Sequence, residues 1–233
     1  MCKIALISGT RTGIGKELAL HLLGQEFTVV GCSRGGGDIE HRAYMHYNCD
    51  VSKEHQVIEM CRDVATRYGR IDVLINNAGI ASMNHLLLTP TETAIRVMET
   101  NYIGSFLFTR EVGKIMARKK HGRIVNMTTV ARALNLEGEA VYASSKAAVE
   151  TLTQISAIEL APLGITVNAL GVSPFPSNLT RTVPEESMEL LIERQAIKRV
   201  ATIGDITNVV DFFINDDSAF VTGQIVYLGG VLA

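Results

Sequence analysis

Tyr142 and Lys146 stand four residues apart in VYASSKAAVE, residues 141–150, with only alanine and serine between them. Residues at i and i+4 share one face of a helix, so the ammonium is placed to approach the phenol. A phenol alone has a pKa of about 10 and releases its proton poorly, whereas a neighbouring cation favours the phenolate. The pair is therefore expected to work as a general acid or base, with Tyr142 moving the proton and Lys146 tuning it. Ala143, Ser144 and Ser145 leave room beside it for a flat ring and a small substrate.

A second set of residues suits phosphate. In ALISGTRTGIGKEL, Gly9, Gly13 and Gly15 separate an apolar run from a helix-period segment, and Arg11, Thr12 and Ile14 share the loop. Glycine lets the chain turn sharply and lets a pyrophosphate lie against backbone N–H groups at the positive end of a helix. A protein for the unphosphorylated dinucleotide commonly places a carboxylate at the end of the second strand, on the ribose hydroxyls. VVGCSRGGGD offers Ser33 and Arg34 there instead, with Arg11 in the glycine loop. A 2'-phosphate would meet one hydroxyl and up to two guanidinium groups. The expected cofactor is NADP(H), unless Arg34 merely decorates a turn.

These residues must be positioned by something, and the apolar pattern says what. The runs KIALIS, FTVVGC, YMHYN, VLIN, RIVNM, ITVNAL and IVYLGG alternate with helix-period segments after Gly13, near residues 53–68, from about Thr91, around Tyr142 and near the carboxyl end. Strands apolar almost throughout are those covered on both faces. The expected fold is α/β: a single Rossmann-like, doubly wound parallel sheet with helices on both faces. At 233 residues and 47% hydrophobic composition the chain is read as one domain, 1–233, without repeats or linkers. Residues 171–191, with three prolines, differ in texture and read either as a substrate lid or as an ordinary surface connection.

Composition narrows the partners. A formal charge of -2 gives no positive field for a phosphate polymer or an anionic membrane, so neither nucleic acid nor membrane is expected. The basic run Arg118–His121 falls where a helix would end and complements its negative terminus. Cys2, Cys32, Cys49 and Cys61 form no CxxC pair and have no histidine at metal-ligand spacing, so reduced, mostly buried thiols are expected and no metal. Without a signal-like or membrane-length apolar run, the expected location is cytoplasmic.

The GxxxGxG spacing with YxxxK resembles the short-chain dehydrogenase/reductase family. The resemblance continues through NCDVS, NNAG, ITVNAL and IGDITNVVDFFINDDSAFVTGQ to the terminal glycines. It implies a catalytic set of Asn101, Thr129, Tyr142 and Lys146. Thr129 lies thirteen positions before the tyrosine, where the family usually has serine. The threonine keeps the hydroxyl but restricts χ1, while Thr128 should face the other side of its strand. Asn101 would complete a water-linked relay to the lysine. Asp50 and Val51 would meet the adenine, Asn77, Ala78 and Gly79 would line the cofactor, and Lys146 would also hold the nicotinamide ribose. Two departures stand out: Gly171-Val172-Ser173-Pro174 replaces a Pro-Gly pair that shapes the amide pocket, where Val172 is the expected contact, and Leu228 replaces an acid before Gly229 and Gly230.

The carboxyl-terminal third most resembles 3-oxoacyl-[acyl-carrier-protein] reductases, which implies NADPH-dependent reduction of a ketone to a secondary alcohol. An acidic carrier would need a basic patch at the cleft mouth. Lys119, Lys120 and Arg123 are candidates for it, although Leu163 stands where a charge would have helped. Glu139 would sit near the substrate opening, either binding a hydroxyl or amine or standing as an exposed loop carboxylate. Carbohydrate or specialised-metabolite ketones remain alternatives, as does a catalytically weak NADP(H)-binding scaffold. A serine hydrolase is disfavoured, because no GxSxG elbow is present. Relatives imply a homodimer or homotetramer paired through the helices near Thr91 and Tyr142, and Ala147, Ala148, Thr151, Leu152 and Ile155 offer a small, apolar pairing face.

Overall fold

Every residue of IALIS, VLIN and ITVNALGV is buried in the computed structural model, which a strand achieves only with helices on both faces. The structure describes residues 2–176 and 185–231. In chain order the elements are β1 (Ile4–Ser8), α1 (Gly13–Gly24), β2 (Thr28–Ser33), β3 (Tyr44–Asn48), α2 (Glu54–Tyr68), β4 (Val73–Asn76), α3 (Thr91–Met98), α4 (Gly104–Lys119), β5 (Gly122–Thr129), α5 (Val130–Leu134), α6 (Ala140–Leu160), β6 (Ile165–Val172), α7 (Glu185–Glu193), α8 (Ile203–Ile214) and β7 (Ile225–Tyr227).

The strands form one parallel sheet in the order β3-β2-β1-β4-β5-β6-β7. Successive residues supply opposite cores. Ile4 and Leu6 pack with Val57 and Met60 of α2, Phe108 and Met116 of α4 and Ala157 of α6. Ala5 and Ile7 pack with Leu18 and Leu22 of α1 and Val210 and Phe213 of α8. Connections run outward from β1 on one side and from β4 on the other, so a crevice opens between their carboxyl ends. That is where open α/β sheets bind ligands.

The expected long helix from about Thr91 runs without a break through α3 and α4, but its winding changes midway. Between α3 and α4, Glu99–Ile103 wind as a π-turn with Asn101 fully buried. The final strand ends at Tyr227, and Leu228–Gly230 turn away with Gly229 at φ 75° and Gly230 at φ 71°. Of the segment 171–191, residues 177–184 lie outside the described residues, while α7 begins at Glu185.

The proposed basic patch does not reach the mouth. Lys119 and Lys120 precede β5, at the sheet edge opposite the crevice. Arg123 is buried there, donating to the Gly122 and Asn215 carbonyls. Leu163 packs on the core beside β6 at the same edge. Of the α6 pairing face, Ala147, Ala148 and Leu152 are half-buried and Thr151 and Ile155 are exposed. Cys2 is exposed, and Cys32, Cys49 and Cys61 are buried and unbridged. Among the described residues no helix is long and apolar enough to cross a membrane.

Candidate active site

Because all strands are parallel, their carboxyl ends meet at one edge, and the loops leaving them line a cleft of about 1160 Å³. One end of the cleft belongs to the glycine loop. Gly9 (φ 78°) and Gly13 (φ 61°) occupy the left-handed region that favours glycine. Gly9, Arg11, Thr12, Gly13, Ile14, Ser33, Arg34, Asp50, Val51, Asn77, Ala78 and Gly79 all line the wall. Gly15 does not: it is buried beneath the turn, where a Cβ would collide with the Gly9 carbonyl and the Asn77 amide. Its task is close packing of helix on strand.

The two asparagines of NNAG divide their work. Asn76 is buried and donates to Asn126 Oδ1 at 2.7 Å and Thr109 Oγ1 at 3.0 Å, tying strand to strand and to α4. Asn77 donates to the Ser8 and Gly9 carbonyls and so braces the glycine turn. Asp50 Oδ1 accepts from the backbone and hydroxyl of Ser52, which fixes the loop after β3. Asp38, the nearest carboxylate along the chain, is occupied at the surface by Lys16 at 2.7 Å. Arg11 lies against Gly35, with Nη1 3.0 Å from the position a Cβ there would take.

At the other end β5 delivers Thr129 and α6 delivers Tyr142 and Lys146, all three buried yet lining the cleft, with Val172 alongside at the end of β6. Thr129 Oγ1 accepts from Ala131 N at 3.2 Å, capping α5, and its hydroxyl lies close enough to the Tyr142 phenol to favour the phenolate. Thr128 points the opposite way, donating to Glu150 at 2.8 Å. Asn101 sits behind the wall rather than in it. Its Oδ1 accepts from Ile80 N at 2.8 Å, and its Nδ2 donates to Ile80 O and to Ser145 Oγ, both at 2.9 Å. It stays near the lysine: a methyl on Gly79 would lie 3.3 Å from Asn101 Oδ1 and 3.4 Å from Lys146 Nζ.

The electrostatics differ from the expectation drawn from the i,i+4 spacing. Lys146 Nζ donates to the Met127 carbonyl at 2.8 Å, so the ammonium is anchored on β5 and does not pull the phenol down. Burial pushes Tyr142 up to about 12, the charge of Glu139 pushes the same way, and only the Thr129 hydroxyl opposes them. The phenol is therefore protonated at neutral pH, the form that can donate. Burial lowers Lys146 to about 8, and the negative charge of Glu150 works against that fall.

Two carboxylates make the site more elaborate than the sequence motifs indicated. Glu139 is half-buried in the cleft wall, not an exposed loop group. Its Oε2 is buried and has no hydrogen-bond partner among the described residues, and burial raises its pKa to about 7. Glu150, one turn beyond Lys146, is 2% exposed. It accepts from Tyr227 at 2.6 Å and Thr128 at 2.8 Å and pairs with Arg132 Nε at 2.9 Å. Its place in KAAVE was visible as an i,i+4 partner of the lysine, but a glutamate on a helix ordinarily reads as a solvated surface group.

A seven-stranded, doubly wound parallel sheet with proton-handling groups at its switch point defines a Rossmann-type oxidoreductase scaffold. The family model described as enoyl-(acyl carrier protein) reductase matches residues 9–230. The 3-oxoacyl-[acyl-carrier-protein] reductase of Staphylococcus epidermidis is 32% identical, covering 99% of this chain and 98% of its own. The chain belongs to the short-chain dehydrogenase/reductase family. Among solved structures, ElxO with NADP bound superposes with a TM-score of 0.91 at 29% identity, covering 99% of this chain and 98% of that one. The ligand-free aldohexose dehydrogenase of Thermoplasma acidophilum gives 0.89 at 26% identity, covering 99% and 94%.

Proposed function

We propose that the protein is an NADP(H)-dependent ketoreductase, interconverting a ketone and a secondary alcohol. The observation that carries this reading is the meeting of Thr129, Tyr142 and Lys146 in one end of a cleft whose other end presents Ser33, Arg34 and Arg11. The cleft suits a dinucleotide plus a small substrate, since about 1160 Å³ exceeds an ordinary small-molecule pocket. Gly35, by having no side chain, gives Arg11 its seat. Ser33, Arg34 and Arg11 would hold a 2'-phosphate, the loop Gly9–Gly13 the pyrophosphate, Asp50 and Val51 the adenine, and Lys146 the nicotinamide ribose.

A reduced nicotinamide held there would supply hydride to a carbonyl carbon. The protein's own share is orientation and proton delivery. The Thr129 hydroxyl steadies the carbonyl oxygen, and the protonated Tyr142 phenol gives its proton to that oxygen as charge develops. Lys146, held on the Met127 carbonyl, keeps a positive charge below the site. The Tyr142→Phe variant tests the assignment. Reduction of a ketone panel, followed by NADPH absorbance, should fall by roughly 10²- to 10⁴-fold while NADPH still binds. A variant as fast as the wild type sinks the mechanism, and tight NADPH binding without turnover of any ketone by the wild type would leave a cofactor-binding scaffold.

For substrate, the Staphylococcus epidermidis relative supports a 3-oxoacyl-[acyl-carrier-protein] reductase-like activity. A second reading is favoured by the mouth itself. Its lining includes Glu137 and Glu139, and the cations foreseen for an acidic carrier lie at the far edge of the sheet. A carbohydrate or specialised-metabolite ketone bearing a hydroxyl or amine fits a carboxylate with no partner among the described residues better than an anionic carrier does. We also propose a homodimer or homotetramer assembled through the π-turn, α4 and α6, where Ile103, Phe106, Ile155 and Ile158 are exposed.

A further inference from the structure

The two segments that would face a 2'-phosphate are joined behind the cleft wall by a chain of side chains. Thr10, in the glycine turn, lies 2.8 Å from the Tyr44 hydroxyl. Tyr44 lies 2.9 Å from Nδ1 of His46, and Nε2 of His46 lies 3.0 Å from both the Ser33 hydroxyl and the Gly35 carbonyl. Ser33 itself donates to the Gly35 carbonyl at 2.6 Å. Ser33 and Gly35 line the cleft, whereas Tyr44 and His46 do not.

Two glycines make this arrangement possible. A Cβ on Gly31 of β2 would collide with both the Thr10 and Tyr44 hydroxyls, and one on Gly37 would stand 2.5 Å from His46 Nδ1. Tyr44 and His46 alternate along β3 and so share one face of the edge strand.

The proton positions follow from the partners. A carbonyl only accepts, so the contact with Gly35 requires a proton on Nε2. With its own proton on Gly35, the Ser33 oxygen is an acceptor for that same Nε2–H. In the neutral ring Nδ1 is then an acceptor, Tyr44 donates to it, and Thr10 donates to Tyr44. The chain is directional, and it ends on a carbonyl that receives two donors where one suffices.

We infer that His46 is a positioning residue for the cofactor's 2'-phosphate: by satisfying the Gly35 carbonyl from behind, it frees the Ser33 hydroxyl to turn into the cleft and donate to a phosphate oxygen. This rests on the NADP(H) reading. Without His46, turning Ser33 toward the phosphate would strip Gly35 of its side-chain donors, so part of the new hydrogen bond would be lost again. NADH carries only the ribose 2'-hydroxyl there, with no phosphate oxygens for Ser33 to donate to, and should be nearly indifferent.

The test is calorimetric titration of the purified full chain with NADPH and with NADH. His46→Leu should raise the Kd for NADPH about tenfold and that for NADH by less than about twofold. Ser33→Ala should do the same, and the double variant should be no worse than Ser33→Ala alone, because both act on one hydrogen bond. His46→Gln, which can return an N–H to the Gly35 carbonyl, should recover most of the loss. Equal weakening of both cofactors, unchanged NADPH binding or additive losses overturn the inference. If His46→Leu does not fold by circular dichroism, Tyr44→Phe takes its place, removing the donor to Nδ1 while keeping the ring, with the same selective loss required. Wild-type protein binding NADH as tightly as NADPH would instead refute the cofactor reading itself, before any variant is made.

Discussion

Replacing Glu150 with glutamine removes the buried negative charge one helical turn from Lys146 while leaving an oxygen for Thr128 and Tyr227 to donate to. Across one turn, at about 6 Å and an effective dielectric near 20, two unit charges interact by ~3 kcal/mol, equivalent to about two pH units. In the wild type the ammonium is lost as pH rises through about 8. Glu150 favours the charged form, so its removal moves that loss to lower pH. For Glu150→Gln, kcat measured by NADPH absorbance against pH should have its alkaline limb displaced downward by about two pH units. At neutral pH this is about a tenfold loss of activity, recovered on acidification. Arg132, 38% exposed at its side chain, remains hydrated when its partner goes neutral, so folding should survive. A limb at the wild-type pH would refute the reasoning. So would a loss equal at every pH, which would mark Glu150 as a purely structural residue.

Glu139 ionises as pH rises through about 7. With a hydroxyl- or amine-bearing ketone, kcat/KM should climb through that pH in the wild type, and Glu139→Gln should abolish the climb and raise KM roughly tenfold. Unchanged kinetics on such ketones would remove Glu139 from substrate recognition. The assembly reading predicts sedimentation as a species heavier than the 25.3 kDa chain, reduced toward monomer by Ile155→Glu together with Ile158→Glu on the exposed α6 face. A wild type that sediments only as the monomer contradicts it.

Much of the sheet was legible because its strands are buried on both faces and read as nearly unbroken apolar runs, from Ile4–Ser8 to Ile165–Val172. The π-turn at Asn101 was not, because ETNYIGSF has the same composition whether four or five residues separate its hydrogen-bonded partners. Motif spacing brought Thr129, Tyr142 and Lys146 to one site, but spacing along a helix says nothing of what else competes for an ammonium. The Met127 carbonyl belongs to another element and took it. Lys119 and Lys120 were misplaced for a similar reason: a charge run carries no information about which end of a sheet it lies at. The chain from Thr10 through Tyr44 and His46 to Ser33 joins the glycine turn, β3 and β2, and YMHYN shows only that Tyr44 and His46 share a face.

The π-turn has a mechanical consequence. It holds one residue more than an α-helical turn would, so α3 and α4 lie on one rod but out of phase by about the 100° that a single residue contributes. Deleting one residue within Glu99–Ile103 would let the rod wind regularly. Either α4 would then rotate off the sheet, or Asn101 would swing away from Ile80 and Ser145. The buried amide is thus held by a helix unable to relax without unseating one of its neighbours, a local frustration that the surrounding packing keeps in place.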